Sequence, residues 1–122
     1  MASNGKVLAV AAEALFLSNL LILPFLSFLI LLMLHYRYSR FAPALATNHL
    51  RQSVGASVWA GVLLLPIPLL TLTITGTESP MGWTVSILYF VVCHAALVLA
   101  GALGLARAMA GKPYRYPLIG GA

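Results

Sequence analysis

The chain has 122 residues, 61% of them hydrophobic and 7% charged, with a formal net charge of +5 and a mean hydropathy of +0.99. A soluble domain has roughly a quarter of its residues charged, so the composition excludes one and predicts a single small all-α membrane domain over residues 1–122. The bases flank apolar runs and form no single patch, which argues against nucleic acid as a partner and for a bilayer with anionic headgroups.

Three apolar runs predict three transmembrane helices over about 7–34, 51–75 and 83–109, followed by an interfacial tail over 110–122. Arg37, Arg40 and Arg51 lie between the first two runs, and Arg107, Lys112 and Arg115 follow the third. Basic loops stay cytoplasmic, so the N-terminus is expected outside and the C-terminus inside, although Lys6 and the α-amino group oppose this mildly. The expected location is the bacterial inner membrane, with several passes. A cleaved signal peptide is the competing reading of the start, but the apolar run continues to Leu34, too far for one.

The first run rises ~42 Å against ~30 Å of hydrocarbon, so the helix is expected to tilt, kink or begin in the interface. Pro24 supplies a kink, and Glu13 and Asn19 interrupt the apolar pattern. Glu13 is about two turns from the helix start, which favours an interfacial or partner-pairing carboxylate over a proton carrier. In the following loop Tyr36, Arg37, Tyr38, Arg40 and Phe41 read as headgroup anchors, Thr47 or Asn48 as a cap, and His49 as a headgroup-contacting side chain.

On the second helix Ser53, Ser57 and Gly61, and beside them Gln52, Ala56 and Ala60, form two small or polar stripes that permit close helix packing. Pro66 and Pro68 break its outer half, read as a structural kink because only aliphatic residues surround them. On the third helix Ala96, Ala100, Gly104 and Ala108 repeat every fourth residue, as a seam against the second helix or another protein. Cys93 reads as a small buried hydrophobe. His94 lies near mid-membrane, where the expectation is a neutral ring bonded to Asn19 or to a backbone carbonyl. The sharper alternative makes His94 an axial ligand for haem or a chlorophyll-type pigment, but His35 and His49 sit at the inner surface and give no second ligand at matched depth. No cofactor and no metal site are therefore expected.

There is no Asp, and Glu13 and Glu78 are far apart in the chain, so two-carboxylate chemistry is absent; no phosphate loop or nucleophile elbow occurs. No catalytic residue is assigned and the chain does not read as an enzyme. The last segment, Lys112, Pro113, Tyr114, Arg115, Tyr116 and Pro117, follows Gly111, which is suited to a left-handed helix cap. Its rings and bases suit either a lipid-anchored terminus or a rigid docking strip.

From Gly111 to Pro117 the sequence resembles the Gly-x-Pro-Tyr-x-Tyr-Pro ending of a family of small bacterial membrane proteins of unknown function. That family is distantly similar to the membrane component of the chloroplast inner-envelope protein translocon. His49, Leu50 and Arg51 resemble its His-x-Arg segment, so the likeness spans about residues 15–119. The resemblance implies a helical inner-membrane protein with no established activity. Small-residue seams and a rigid tail favour an accessory or assembly subunit working with other integral membrane proteins. The rival is a homo-oligomeric or translocon-like conduit lined by Asn19, Pro66, Pro68 and His94.

Overall fold

The computed structural model describes residues 5–38 and 40–120; the α-amino group and residues 121–122 of the expected tail lie outside them. Among the described residues there are five helices and no strand: α1 (Lys6–Leu21), α2 (Leu26–Tyr38), α3 (Ala44–Leu64), α4 (Pro66–Thr75) and α5 (Pro80–Met109). Two stretches, Ala44–Thr75 and Pro80–Met109, are long and apolar enough to cross a bilayer.

The first predicted crossing is not one helix. The chain breaks at 22–25 and folds back, so α1 and α2 form an antiparallel hairpin. Ser18 and Ser27 share a 2.8 Å hydrogen bond across it, and below them Ala12 packs on Leu31, with Leu8, Leu15 and Leu34 flanking the pair. Pro24 stops the helix by removing a donor, and the next residue, Phe25, turns the chain at φ 71. That left-handed conformation costs a non-glycine residue roughly 1–2 kcal/mol. Asn19 Oδ1 offsets part of it by accepting the Phe25 N–H at 3.0 Å. The reversal brings Gly5 against Pro43 and Ala46, so the described start of the chain lies at the same end of the bundle as the tail.

The second helix starts at Ala44, not 51, because Pro43 occupies the N-cap with φ −57 and leaves the helix free to begin after it. Thr47 and Asn48 are consequently inside the helix and do not cap it. Thr47 donates back to the Ala42 and Pro43 carbonyls at 3.3 and 3.2 Å. The expected kink is a break at Leu65, where Pro66 opens α4. Similarly α5 begins at Pro80, where Ser79 caps it by accepting the Gly82 N–H at 3.1 Å. Gly111, at φ 72, ends α5, and the Lys112 N–H closes the turn on the Arg107 carbonyl at 2.9 Å.

The central helix is α1. Ala9, Ala12, Glu13 and Phe16 recur on one face and are fully buried by α3 on one side and α5 on the other. The stripe on α5 is the seam against this helix. Gly104 faces Glu13, whose Oε1 would stand 2.7 Å from a Cβ there, and Gly101 faces Phe16 and Leu17. Gly104 and Ala108 are buried, Ala100 is half-buried and Ala96 is exposed. The stripe thus packs mainly on the chain's own first helix, with Ala100 also reaching the cluster around Ala56 and Ala60 of α3. On α3, Gln52, Ser53, Ala56, Ser57 and Ala60 are likewise turned inward, while Gly61 is half-buried.

A leucine at Gly101 has no room, because even a Cβ would come within 2.7 Å of the Phe16 ring. Gly101→Leu should destabilise the bundle by about 1–3 kcal/mol in a reversible detergent-unfolding titration. Ala96→Leu, on the exposed side, should leave the midpoint unchanged; equal effects of the two would disprove the assigned seam.

Candidate functional site

The tail does not lie along the surface. After Gly111 it turns upward beside α3 in extended form, two tail residues for each helical turn. The Tyr114 N–H donates to Asn48 Oδ1 at 2.8 Å and the Tyr116 N–H to Gln52 Oε1 at 3.0 Å. Residues i and i+4 of a helix are ~6 Å apart along its axis, close to the advance of two extended residues, so the two amides match the two side chains. The alternate residues Tyr114 and Tyr116 then point into the bundle. Their rings meet edge to face at 4.9 Å, and Tyr116 meets Phe16 in the same way at 5.1 Å. The Tyr114 hydroxyl donates to the Ala100 carbonyl at 2.7 Å.

Beneath the rings lies Glu13, 0% exposed. Its Oε1 accepts the Tyr116 hydroxyl proton at 2.5 Å, and its Oε2 is 2.5 Å from His49 Nδ1. His49 is also 0% exposed, and its Nε2–H donates to the Lys112 carbonyl at 2.8 Å. A carbonyl can only accept, so Nε2 carries a proton. One further proton is held between His49 Nδ1 and Glu13, as an imidazolium beside a carboxylate or as a neutral pair. Either arrangement leaves no net charge on the pair, which is what burial in a poorly polarisable interior requires. Burial first, and then the negative charge of Glu13, pushes the Tyr116 hydroxyl far above its ordinary value of 10.0, so it remains a donor. Tyr114 is raised for the same reasons in the same order.

Glu13, His49 and Tyr116 include donor types that a metal accepts, but each already spends its reactive atom on another at hydrogen-bonding distance. Among the described residues no group of three or more His, Cys, Asp and Glu side chains could hold a metal ion. The cluster is closed and serves as a latch, joining α1, α3 and the tail at one buried carboxylate. Of the expected docking strip, Lys112, Pro113, Arg115 and Pro117 are exposed, whereas Tyr116 is buried and Tyr114 half-buried. Any external contact therefore falls to the bases and prolines.

At the other end of the hairpin is a cavity of about 640 Å³, walled by Asn19, Pro24, Phe28, Pro66, Phe90 and His94 among others. The conduit residues Asn19, Pro66 and His94 meet there, and Pro68 does not. His94 stacks on Phe90 with ring centroids 5.6 Å apart, and its Nε2–H donates to the Leu20 carbonyl at 3.0 Å. The expected backbone bond is the one formed, while Asn19 is spent on Phe25. A haem or pigment bound through Nε2 would have to break that bond to the end of α1.

The latch is hard to see in the sequence because Glu13 and Tyr116 stand 103 positions apart. A signal did exist. Glu13 is the one acid in the apolar runs, and Asn48 and Gln52 sit at a spacing that matches Tyr114 and Tyr116.

A comparison with protein-family models matches residues 4–121, nearly the whole chain, to the magnetosome magnetite crystal formation protein family. It is a small bacterial membrane-protein family. No curated protein and no solved structure matches the chain.

Removing the buried carboxylate should release the tail. Glu13→Ala leaves two buried donors unsatisfied and should cost about 3–5 kcal/mol, and Tyr116→Phe, which keeps the ring, about 1–3 kcal/mol. Since ~1.4 kcal/mol is tenfold in an equilibrium, tryptic cleavage after Arg115 should accelerate by more than about a hundredfold in Glu13→Ala and at least about fivefold in Tyr116→Phe. The raised Tyr116 hydroxyl also sets a pH dependence. Its folded value lies above its unfolded value, so its contribution is complete below about pH 10 and declines as pH rises further, and the quickening of cleavage above that point in the native chain should be missing from Tyr116→Phe.

Proposed function

Because the chain belongs to the magnetosome magnetite crystal formation protein family, we propose that it is a small non-catalytic accessory subunit of the bacterial membrane where the crystal forms. Its partners in this reading are other integral membrane proteins and anionic lipid.

The observation that supports it is where the polar groups go. Glu13, His49, Asn48, Gln52 and Tyr116 hold the tail, and Asn19 and His94 hold the hairpin turn. What the bundle offers outward is apolar and lateral, with bases at one end. On α5 the outward side carries Ala95, Ala96, Ala102 and Ala106, all exposed, and small residues there let another helix approach closely. A partner would meet this face, not the buried stripe at Gly104.

The second reading, a homo-oligomeric conduit, draws on the cavity that brings Asn19, Pro66 and His94 together. Purification in a mild detergent separates the two. The subunit reading expects a membrane partner in fixed stoichiometry, lost from Ala102→Phe while the bundle stays folded. It also expects altered crystals when the chain is deleted from a magnetite-forming cell, restored by the native chain. A self-sufficient oligomer that passes ions in liposomes would overturn it in favour of the conduit.

A further inference from the structure

The bundle is much wider at one end than at the other. From the basic end to the turn at 22–25, α1, α2, α3 and α5 stand side by side with the tail set among them. The turn lies level with Leu65, Pro66 and Phe90, which wall the same cavity. Beyond that level only α4 and the first third of α5 continue, packed on each other where Gly82 faces Thr75. The 10 residues of α4 carry this pair ~15 Å further. At ~10 Å per helix the cross-section falls by about half along the axis.

The hairpin is built to end inside hydrocarbon. Its 16-residue and 13-residue helices rise ~24 and ~20 Å, short of the ~30 Å needed to cross. The turn is apolar and uncovered: Leu21, Ile22, Leu23, Phe25 and Leu26 are 49–73% exposed. Yet its amides are all satisfied. Ile22 and Leu23 donate to the Ser18 carbonyl, Phe25 to Asn19, Leu26 to the Pro24 carbonyl and Ser27 to the Leu23 carbonyl, while Pro24 has no N–H to satisfy. His94 supplies a donor to the Leu20 carbonyl at the frayed end of α1. Water would make such provision unnecessary; lipid demands it.

Charge gives the wide end its side. All 7 Lys and Arg residues of the sequence, Lys6, Arg37, Arg40, Arg51, Arg107, Lys112 and Arg115, belong to that end, and Glu78 lies in the connection at the narrow one. We infer that the chain is a membrane wedge: α1 and α2 enter and leave one leaflet, and the wide basic end fits a convexly curved leaflet bearing anionic headgroups. Its ligand is the lipid surface itself. Helical area added to one leaflet alone is accommodated where that leaflet is stretched over a bulge, and basic residues hold the wide end on anionic lipid. The inference requires that the chain be embedded in a bilayer and not that it serve crystal formation, so the two can fail separately.

The test uses the full chain fused at its C-terminus to a fluorescent protein and reconstituted in vesicles of phosphatidylethanolamine and phosphatidylglycerol. Single vesicles are imaged by diameter, and the fluorescence that external protease removes marks molecules with the wide end outward. These should be about two- to fivefold denser on vesicles of roughly 50 nm than on those of roughly 400 nm, and inward-facing molecules should show the opposite trend. Equal densities, or a preference of outward molecules for large vesicles, would overturn the wedge. A second measurement reports on the hairpin without relying on curvature. With Cys93→Ser as background, a cysteine introduced by Leu23→Cys should resist a membrane-impermeant maleimide applied from either side. Labelling from the side opposite the tail would show that the hairpin crosses, and the wedge would fall with it.

Discussion

A carboxyl group enclosed where water does not reach must find its donors within the chain, and the rest of this bundle follows from how Glu13 finds them. It sits on the central helix, so each partner has to be brought in from another element: His49 from α3 and Tyr116 from the tail. The other nitrogen of His49 needs an acceptor as well, which draws in the Lys112 carbonyl and so the start of the tail. Tyr116 can serve only if the tail runs up α3 in register, which Asn48 and Gln52 enforce. One buried acid thereby fixes the packing of α1 on α3, the glycine opposite it on α5 and the path of the last described residues.

The class of the fold was legible from composition, and the break near Pro66 and the left-handed turn at Gly111 were legible from residue type. The hairpin was not. A single apolar run from Val7 to Leu34 reads the same whether it crosses or doubles back, because hydropathy records what surrounds a segment and not its direction. Pro24 was visible, but what converts a kink into a reversal is the pair of side chains that satisfy the turn, and Asn19 and His94 lie 75 positions apart (94 − 19). The small stripe on α5 is a related case. Its four-residue period announced close approach, but a period names no partner, and the partner is α1.

The two polar sites are alike in kind. At the wide end a cluster of ionisable groups ties down the tail, and at the turn an amide and an imidazole tie down the backbone. In each the polar residues that first suggest chemistry are consumed by structure. This redirects attention to the outer shape of the molecule and its apolar flanks.

The position of Tyr116 also dictates an order of assembly. Glu13 and His49 are synthesised early and meet as soon as α1 and α3 pack, but the second oxygen of Glu13 must wait until all of α5 has been made and the chain has turned at Gly111. Contacts so distant in sequence close late. Until then the bundle holds a half-satisfied acid facing the groove that the tail will fill. The unfinished chain therefore carries an unsatisfied acceptor that the finished one does not, and a chain stalled before its last turn would present it to whatever surveys unfinished membrane proteins.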